Sequence, residues 1–221
     1  MGKTYVIVVA AGESLRFGSD KQSAYIKGKS VLERTLNCLE QHSQIDEVIL
    51  VLNEEAPKDS FASAFPKIKK IVIGGKERQD SMEAGFREVK PDPESLVLVH
   101  DGARPLVKKD LISRVIKAAQ EYGAAVPGLP IRDTVKSVQG ETVQKTLDRS
   151  RLYACQTPQG FRYSMLRSAL DQAAEEGFLG TDEASLVERQ GGIVMMVPGH
   201  WTNIKITFPE DIKIAEALVE D

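Results

Sequence analysis

Scarcity narrows this chain first. Two cysteines in 221 residues, Cys38 in an amphipathic helical pattern and Cys155 in a polar stretch, make neither a disulfide framework nor a metal cage. A reducing compartment fits that. Of three histidines, none stands at metal-ligand spacing from another, so His100 reads as a structural histidine. No apolar run approaches the ~20 residues that span a bilayer, and no basic region leads into an apolar signal core, so a cytoplasmic protein without a membrane partner is expected. Basic charge is not in excess either. The formal charge of −3 argues against a nucleic-acid partner, and any anion site must therefore be local. Neither G-x-G-x-x-G nor G-x-x-x-x-G-K-[ST] occurs, which removes the two familiar nucleotide-binding signatures and a dehydrogenase with them.

What is present is ordinary for a soluble globular protein: 42% hydrophobic and 28% charged residues, with no internal repeat or linker, which predicts one domain over 1–221. Short β-branched runs recur at Tyr5 to Ala11, Val48 to Leu52, Ile71 to Ile73, Leu96 to Val99, Ala124 to Val126 and Ile193 to Val197. They are too continuous for half-exposed strands and read as strands covered on both faces. Between them lie helical patterns. Ser30 with Glu33 has capping-box spacing, Asp80 with Glu83 the analogous one, Pro209 suits a first helical turn, and about Asp110 to Glu121 places Leu111, Ile112, Val115, Ile116 and Ala119 on one face. Strand and helix in alternation predict a three-layer α/β sandwich with a mostly parallel sheet. From Ile131 to Cys155 the rhythm changes to charged and β-branched residues around Gln139-Gly140, a hairpin pattern. A lone two-stranded arm is marginal in water, so a second subunit is the economical support.

Ligands of open α/β sheets sit beyond the carboxyl ends of the strands, which makes the loop from Ala10 to Gln22 a candidate by position. Ala10, Ala11 and Gly12 leave room for a ligand to reach backbone N–H groups, and Arg16 and Lys21 can close over an anion. The plainer reading is a strand-to-helix turn with solvated charges. His100-Asp101-Gly102-Ala103-Arg104-Pro105 follows another strand; there Asp101 can hold a divalent cation and Arg104 can grip a phosphate, or the two can simply cap a helix and pair. After a third strand, the amides near Gly75 and the Ser81 hydroxyl can read a base or ribose, although Asp80 as a helix cap explains that stretch nearly as well. Lys205 stands in an otherwise apolar strand and must reach solvent or an anion, since an unpaired buried ammonium is costly.

Taken in order, A-A-G-x-x-x-R, D-K-Q, G-G-x-x-R-x-D-S, H-D-x-A-R-P, I-R-D-T, D-R-S-R-L, Q-T-P-Q-x-F, T-D-E-A-S and N-I-K-I-T resemble the motif series of 2-C-methyl-D-erythritol 4-phosphate cytidylyltransferases, from about Val8 to Asp211. The resemblance implies a Rossmann-like domain with a protruding β-arm that builds a homodimer, CTP and methylerythritol phosphate as substrates, and Mg²⁺ as cofactor. It assigns Ala10, Ala11, Gly12, Gly75 and Ser81 to the nucleotide and Arg16 and Lys21 to its phosphates. It places Asp101, Arg104, Thr134, Arg149, Thr157 and Lys205 at the second substrate, the metal (Asp101) and the transferring phosphate, with Thr134 and Arg149 on the hairpin and able to complete a neighbour's site. Where the family loop carries a second glycine this chain has Ser14, which limits positive φ, and Asp20 sets a negative charge beside Lys21. The competing readings are a cytidylyltransferase for another polyol phosphate such as ribitol 5-phosphate, and a non-catalytic nucleotide-binding module.

Overall fold

Successive side chains of the first apolar run point to opposite sides. In the computed structural model, which describes residues 2–219 apart from 13, 15, 19 and 91, Thr4–Val9 (β1) sends Val6 and Val8 to one core cluster and Tyr5 and Ile7 to the other. A strand apolar on both faces must be covered on both, and the rest of the chain supplies the covers. Tyr25–Ile26 (β2) and Lys29–Ser30 (β3) form a small separate hairpin before Val31–Glu40 (α1). Glu47–Leu52 (β4), Lys58–Ala64 (α2), Ile68–Ile73 (β5), Arg78–Phe86 (α3), Leu96–Asp101 (β6), Lys109–Tyr122 (α4) and Ala124–Pro130 (β7) then alternate. The arm is Lys136–Gln139 (β8) with Thr142–Thr146 (β9), and the chain returns through Tyr153–Cys155 (β10) and Gln159–Arg162 (β11). Tyr163–Glu176 (α5), Glu183–Arg189 (α6), Met195–Pro198 (β12) and Glu210–Leu218 (α7) complete it.

The main sheet has the order β10-β7-β11-β6-β1-β4-β5, with β12 parallel to β7. β6, β1, β4 and β5 are mutually parallel, whereas β10 and β11 run antiparallel to β7. The predicted α/β sandwich with a mostly parallel sheet is therefore observed. One layer packs α1 and α4 on the sheet through Leu32, Leu36, Leu111, Ile112, Val115 and Ile116; the other packs α3, α5 and α6 through Met82, Phe86, Leu166, Leu170 and Val187. Each such side chain contributes about 1.5–3 kcal/mol by leaving water.

Four expectations change. Asp80 does not cap α3: Glu77 does, and Asp80, three residues on, accepts from the Glu77 N–H at 3.0 Å. β5 and β12 are edge or half-covered strands, with Ile73 and Met196 exposed and Ile193 outside the strand altogether. The stretch around Lys205 forms no strand; Ile206 N–H donates to Ala103 O at 2.8 Å. β11 was not anticipated, because Gln-Gly-Phe-Arg carries no β-branched residue; Gly160 is there since a Cβ would lie 2.8 Å from Val115 Cγ1.

Candidate active site

β1 lies where the strand order turns back: the chain adds β4 and β5 on one side of it and then crosses to β6 on the other. Loops leaving neighbouring strands diverge at such a point and leave a crevice at their carboxyl ends. Three of the sequence candidates, the loops after β1, β5 and β6, meet there.

Within the loop after β1 the residues divide by direction. Ala10 gives its N–H to Val51 O at 2.8 Å and is buried, so that amide is not free for a ligand. Ala11 closes against the loop after β5, where a Cβ on Gly74 would fall 2.4 Å from the Ala11 Cβ; one on Gly75 would fall 2.3 Å from Asp80 Cβ. Gly12 has open space beside it. Ser14, expected to limit positive φ, adopts φ 57°, a left-handed conformation costing on the order of 1 kcal/mol for a residue with a Cβ. Asp20 does not oppose Lys21 freely: it accepts from Gln22 N–H at 3.0 Å and from the Ser23 hydroxyl, closing the turn that presents Lys21. Arg16 is exposed, its guanidinium 5.8 Å from the Phe208 ring centroid.

At the end of β6, Asp101 is buried and ringed by cations: Lys205 Nζ at 2.9 Å, Arg78 Nε at 3.2 Å and Arg104 Nε at 3.5 Å. Burial works against its charge, but Lys205, then Arg78 and Arg104, hold the carboxyl well below the usual carboxylate range. Arg78 reaches back with its other two nitrogens to Glu183 at 2.7 and 3.2 Å. Burial pushes the Glu183 carboxyl upward, and the Arg78 pair opposes that. Three cations and two carboxylates leave one positive charge over at the floor of the crevice. Arg104 Nη1 donates to Asn203 O at 2.7 Å, and Asn203 Nδ2 to Thr157 O at 2.9 Å, which ties the segment carrying Lys205 to the sheet.

A cleft of about 160 Å³ results, lined among others by Gly12, Lys21, Gly75, Ser81, Asp101 and Lys205. It joins a wider one of about 550 Å³ that shares Lys21 and adds Arg16 and Thr207. Burial lowers the Lys21 pKa, and Lys205 lowers it further. An ammonium whose charge is disfavoured by burial and by a second ammonium across an open cleft forms a site for an anion.

The model of the family 2-C-methyl-D-erythritol 4-phosphate cytidylyltransferase matches residues 4–221. The chain belongs to this family. A relative of that name from Bacillus velezensis is 44% identical over 224 residues, covering 98% of this chain and 96% of its own. Among solved structures, the 2-C-methyl-D-erythritol 4-phosphate cytidylyltransferase of Thermus thermophilus superposes with a TM-score of 0.81 at 37% identity, over 99% of this chain and 98% of that one. The 4-diphosphocytidyl-2C-methyl-D-erythritol synthase of Anaerococcus prevotii gives 0.85 at 31%, over 98% and 95%.

As a cytidylyltransferase the chain uses a nucleoside triphosphate, and the cleft gathers Arg16, Lys21, Gly12, Gly75, Ser81, Asp101 and Lys205. Arg104 and Thr157 stand behind Asp101: Thr157 Oγ1 accepts from the Asp101 N–H at 3.0 Å and meets His100 Nδ1 at 3.0 Å. Thr134 and Arg149 line neither cavity of the cleft. They flank the arm at its base, not on its strands, and Arg149 bonds to Arg132 O. Arg78 and Glu183 lie inside two of the motifs, but each alone reads as a surface charge, and only the fold brings them together. As a metal ligand Asp101 does not fit, since both its oxygens are taken by cations, and no group of three His, Cys, Asp or Glu among the described residues stands ready to hold an ion. Among the described residues no helix is long and apolar enough to cross a membrane.

Proposed function

We propose that this protein joins CTP to 2-C-methyl-D-erythritol 4-phosphate, releasing pyrophosphate, in the supply of isoprenoid precursors. The observation that carries the reading is the placement of Lys21 and Lys205 on one cleft at the carboxyl ends of β1 and β6. A phosphate monoester has a second pKa near 6, so the nucleophile arrives largely ionised and needs no general base. His100 accordingly need not act: burial pushes its imidazole down to about 3 and it stays neutral behind Asp101. The monoester oxygen bonds to the α-phosphorus of CTP, the bond from that phosphorus to the β-bridging oxygen breaks, and pyrophosphate leaves with the electron pair. The work is to bring two anions together and to stabilise charge on the α-phosphoryl oxygens. Arg16 and Lys21 hold the triphosphate, Lys205 takes the α-phosphate, and Ala11, Gly12, Gly75 and Ser81 face the nucleoside. Asp101 acts as the anchor that aims Lys205. A divalent cation such as Mg²⁺ would arrive with the triphosphate and would neutralise part of its charge.

A homodimer through the β8–β9 arm is part of the same proposal. Val138 and Val143 are 59% and 55% exposed on the arm, and Trp201 stacks on Arg132 near its base at 3.5 Å, which supports a cover from a second copy. Thr134 and Arg149, outside the cleft of their own chain, then complete the neighbour's. Two free thiols, Cys38 and Cys155, suit a cytoplasmic setting. The test is product analysis after incubation with CTP, Mg²⁺ and a panel of sugar-alcohol phosphates. The conjugate and pyrophosphate appear with methylerythritol phosphate; turnover of ribitol 5-phosphate alone would replace this reading with the other polyol, and no turnover of any would end both.

A further inference from the structure

Arg16 is the least constrained cation of the cleft. Among the described residues no carboxylate pairs with it and no acceptor takes its N–H groups; its one partner is the Phe208 ring, with the centroid 5.8 Å from the guanidinium carbon. Packing does not account for that ring. Phe208 is 49% exposed and belongs to none of the three apolar clusters. It is firmly placed all the same. Asp211, in the first turn of α7, accepts from the N–H groups of Thr207 and Phe208 at 2.7 and 2.9 Å, and Ile206 N–H is bonded to Ala103 O. The ring is thereby fixed to the segment that carries Lys205, and Thr207 before it lines the wider cavity. The turn that bears Arg16 is closed in its own way: the N–H groups of Phe17 and Gly18 donate to Ser14 O at 2.8 and 3.2 Å, and Phe17 packs on the cluster of Ile26, Ile206 and Ala215.

A carboxylate at this place would hold Arg16 but neutralise it, and would compete with a triphosphate for its donors. An aromatic face attracts a guanidinium within about 6 Å through its quadrupole and leaves the charge in place for an anion. Holding matters, because an arginine side chain has rotamer freedom that binding must otherwise freeze. Arg16 also adds to the burial and the Lys205 charge that depress the Lys21 ammonium, so a guanidinium left loose is repelled from the cavity. We propose that Phe208 is a positioning residue for the transfer reaction: its ring holds Arg16 at the mouth of the cleft in the arrangement that receives the triphosphate. This inference rests on the assignment of that cleft to CTP.

The experiment measures CTP affinity by calorimetry, and kcat and KM with CTP and methylerythritol phosphate, for Phe208→Leu, Phe208→Tyr and Phe208→Trp, each alone and combined with Arg16→Ala. Phe208→Leu keeps an apolar side chain and removes the aromatic face; it weakens CTP about two- to fivefold and raises the CTP KM by the same factor, while kcat holds. Phe208→Tyr and Phe208→Trp bind CTP at least as tightly as the wild type. In the Arg16→Ala background Phe208→Leu has no further effect, since the two residues act through one contact. CTP affinity unchanged in Phe208→Leu, a loss in Phe208→Tyr and Phe208→Trp equal to that in Phe208→Leu, or a loss that persists undiminished without Arg16 would overturn the proposal and leave the reading of the cleft standing. A wild-type chain that binds no CTP would remove that reading, and this proposal with it.

Discussion

Glu183 touches no cleft directly, yet it sets the charge that does. Its carboxylate holds Arg78, Arg78 holds Asp101, and Asp101 holds Lys205. Replacing Glu183 by Ala leaves the half-buried Arg78 paired with Asp101 alone, and denaturant unfolding is expected to show a loss of about 1–3 kcal/mol. Glu183→Gln keeps a hydrogen bond and the fold; its kcat falls while the CTP KM moves little, because Lys205 rather than the triphosphate seat is disturbed. An equal loss in both would place Glu183 elsewhere in the mechanism. His100 adds a pH dependence. The unfolded chain takes a proton at His100 below about 6.5, whereas the folded chain refuses it until about 3. Stability from this residue is therefore full above pH 6.5 and is lost progressively as the pH falls. Between pH 7 and pH 5 the loss from His100 is about 2 kcal/mol; His100→Gln flattens the slope in urea unfolding and leaves the part due to His42, whose imidazole burial also holds low. A wild-type stability that does not change over this range would contradict the buried neutral imidazole.

At the scale of elements, local chemistry was legible wherever it was self-contained. Ser30 and Glu33 form the capping box their spacing announced, with Glu33 N–H donating to Ser30 Oγ at 3.2 Å and Ser30 N–H to Glu33 Oε2 at 2.7 Å. Ser30→Ala should cost about 1 kcal/mol in thermal or denaturant unfolding. The same spacing at Asp80 misled because Glu77 and Asp80 make an equivalent reciprocal pair three residues earlier. β11 escaped notice for a different reason: its Gly160 is dictated by α4 packing over it, a contact between residues distant in sequence. The arm was visible as an alternating pattern around Gln139-Gly140, whereas the second copy proposed to cover it has no signature in the chain itself. Replacing residues 136–146 with a short Gly-Ser turn is expected to give a folded monomer with unchanged far-ultraviolet circular dichroism and sharply reduced turnover. A fully active monomer on sedimentation would remove the arm from the site.

Across the whole molecule, the site was half legible. Each glycine-bearing loop after a strand was a candidate from its place in an α/β alternation, and the nine motifs in order pointed to one family. The charge chain Lys205–Asp101–Arg78–Glu183 was not, because Arg78 and Glu183 lie 105 residues apart and meet only once the sheet order is known. Nor could the sequence show that Asp101 has its oxygens occupied, which moves it from metal ligand to anchor. The account rests on two positive side chains from opposite ends of the chain sharing one cleft and making two anions react. The most direct measurement is single-turnover pyrophosphate release from CTP and methylerythritol phosphate by folded Lys21→Ala and Lys205→Ala variants. The account predicts that each slows by on the order of 100-fold or more; a rate equal to that of the wild type in either variant would contradict it.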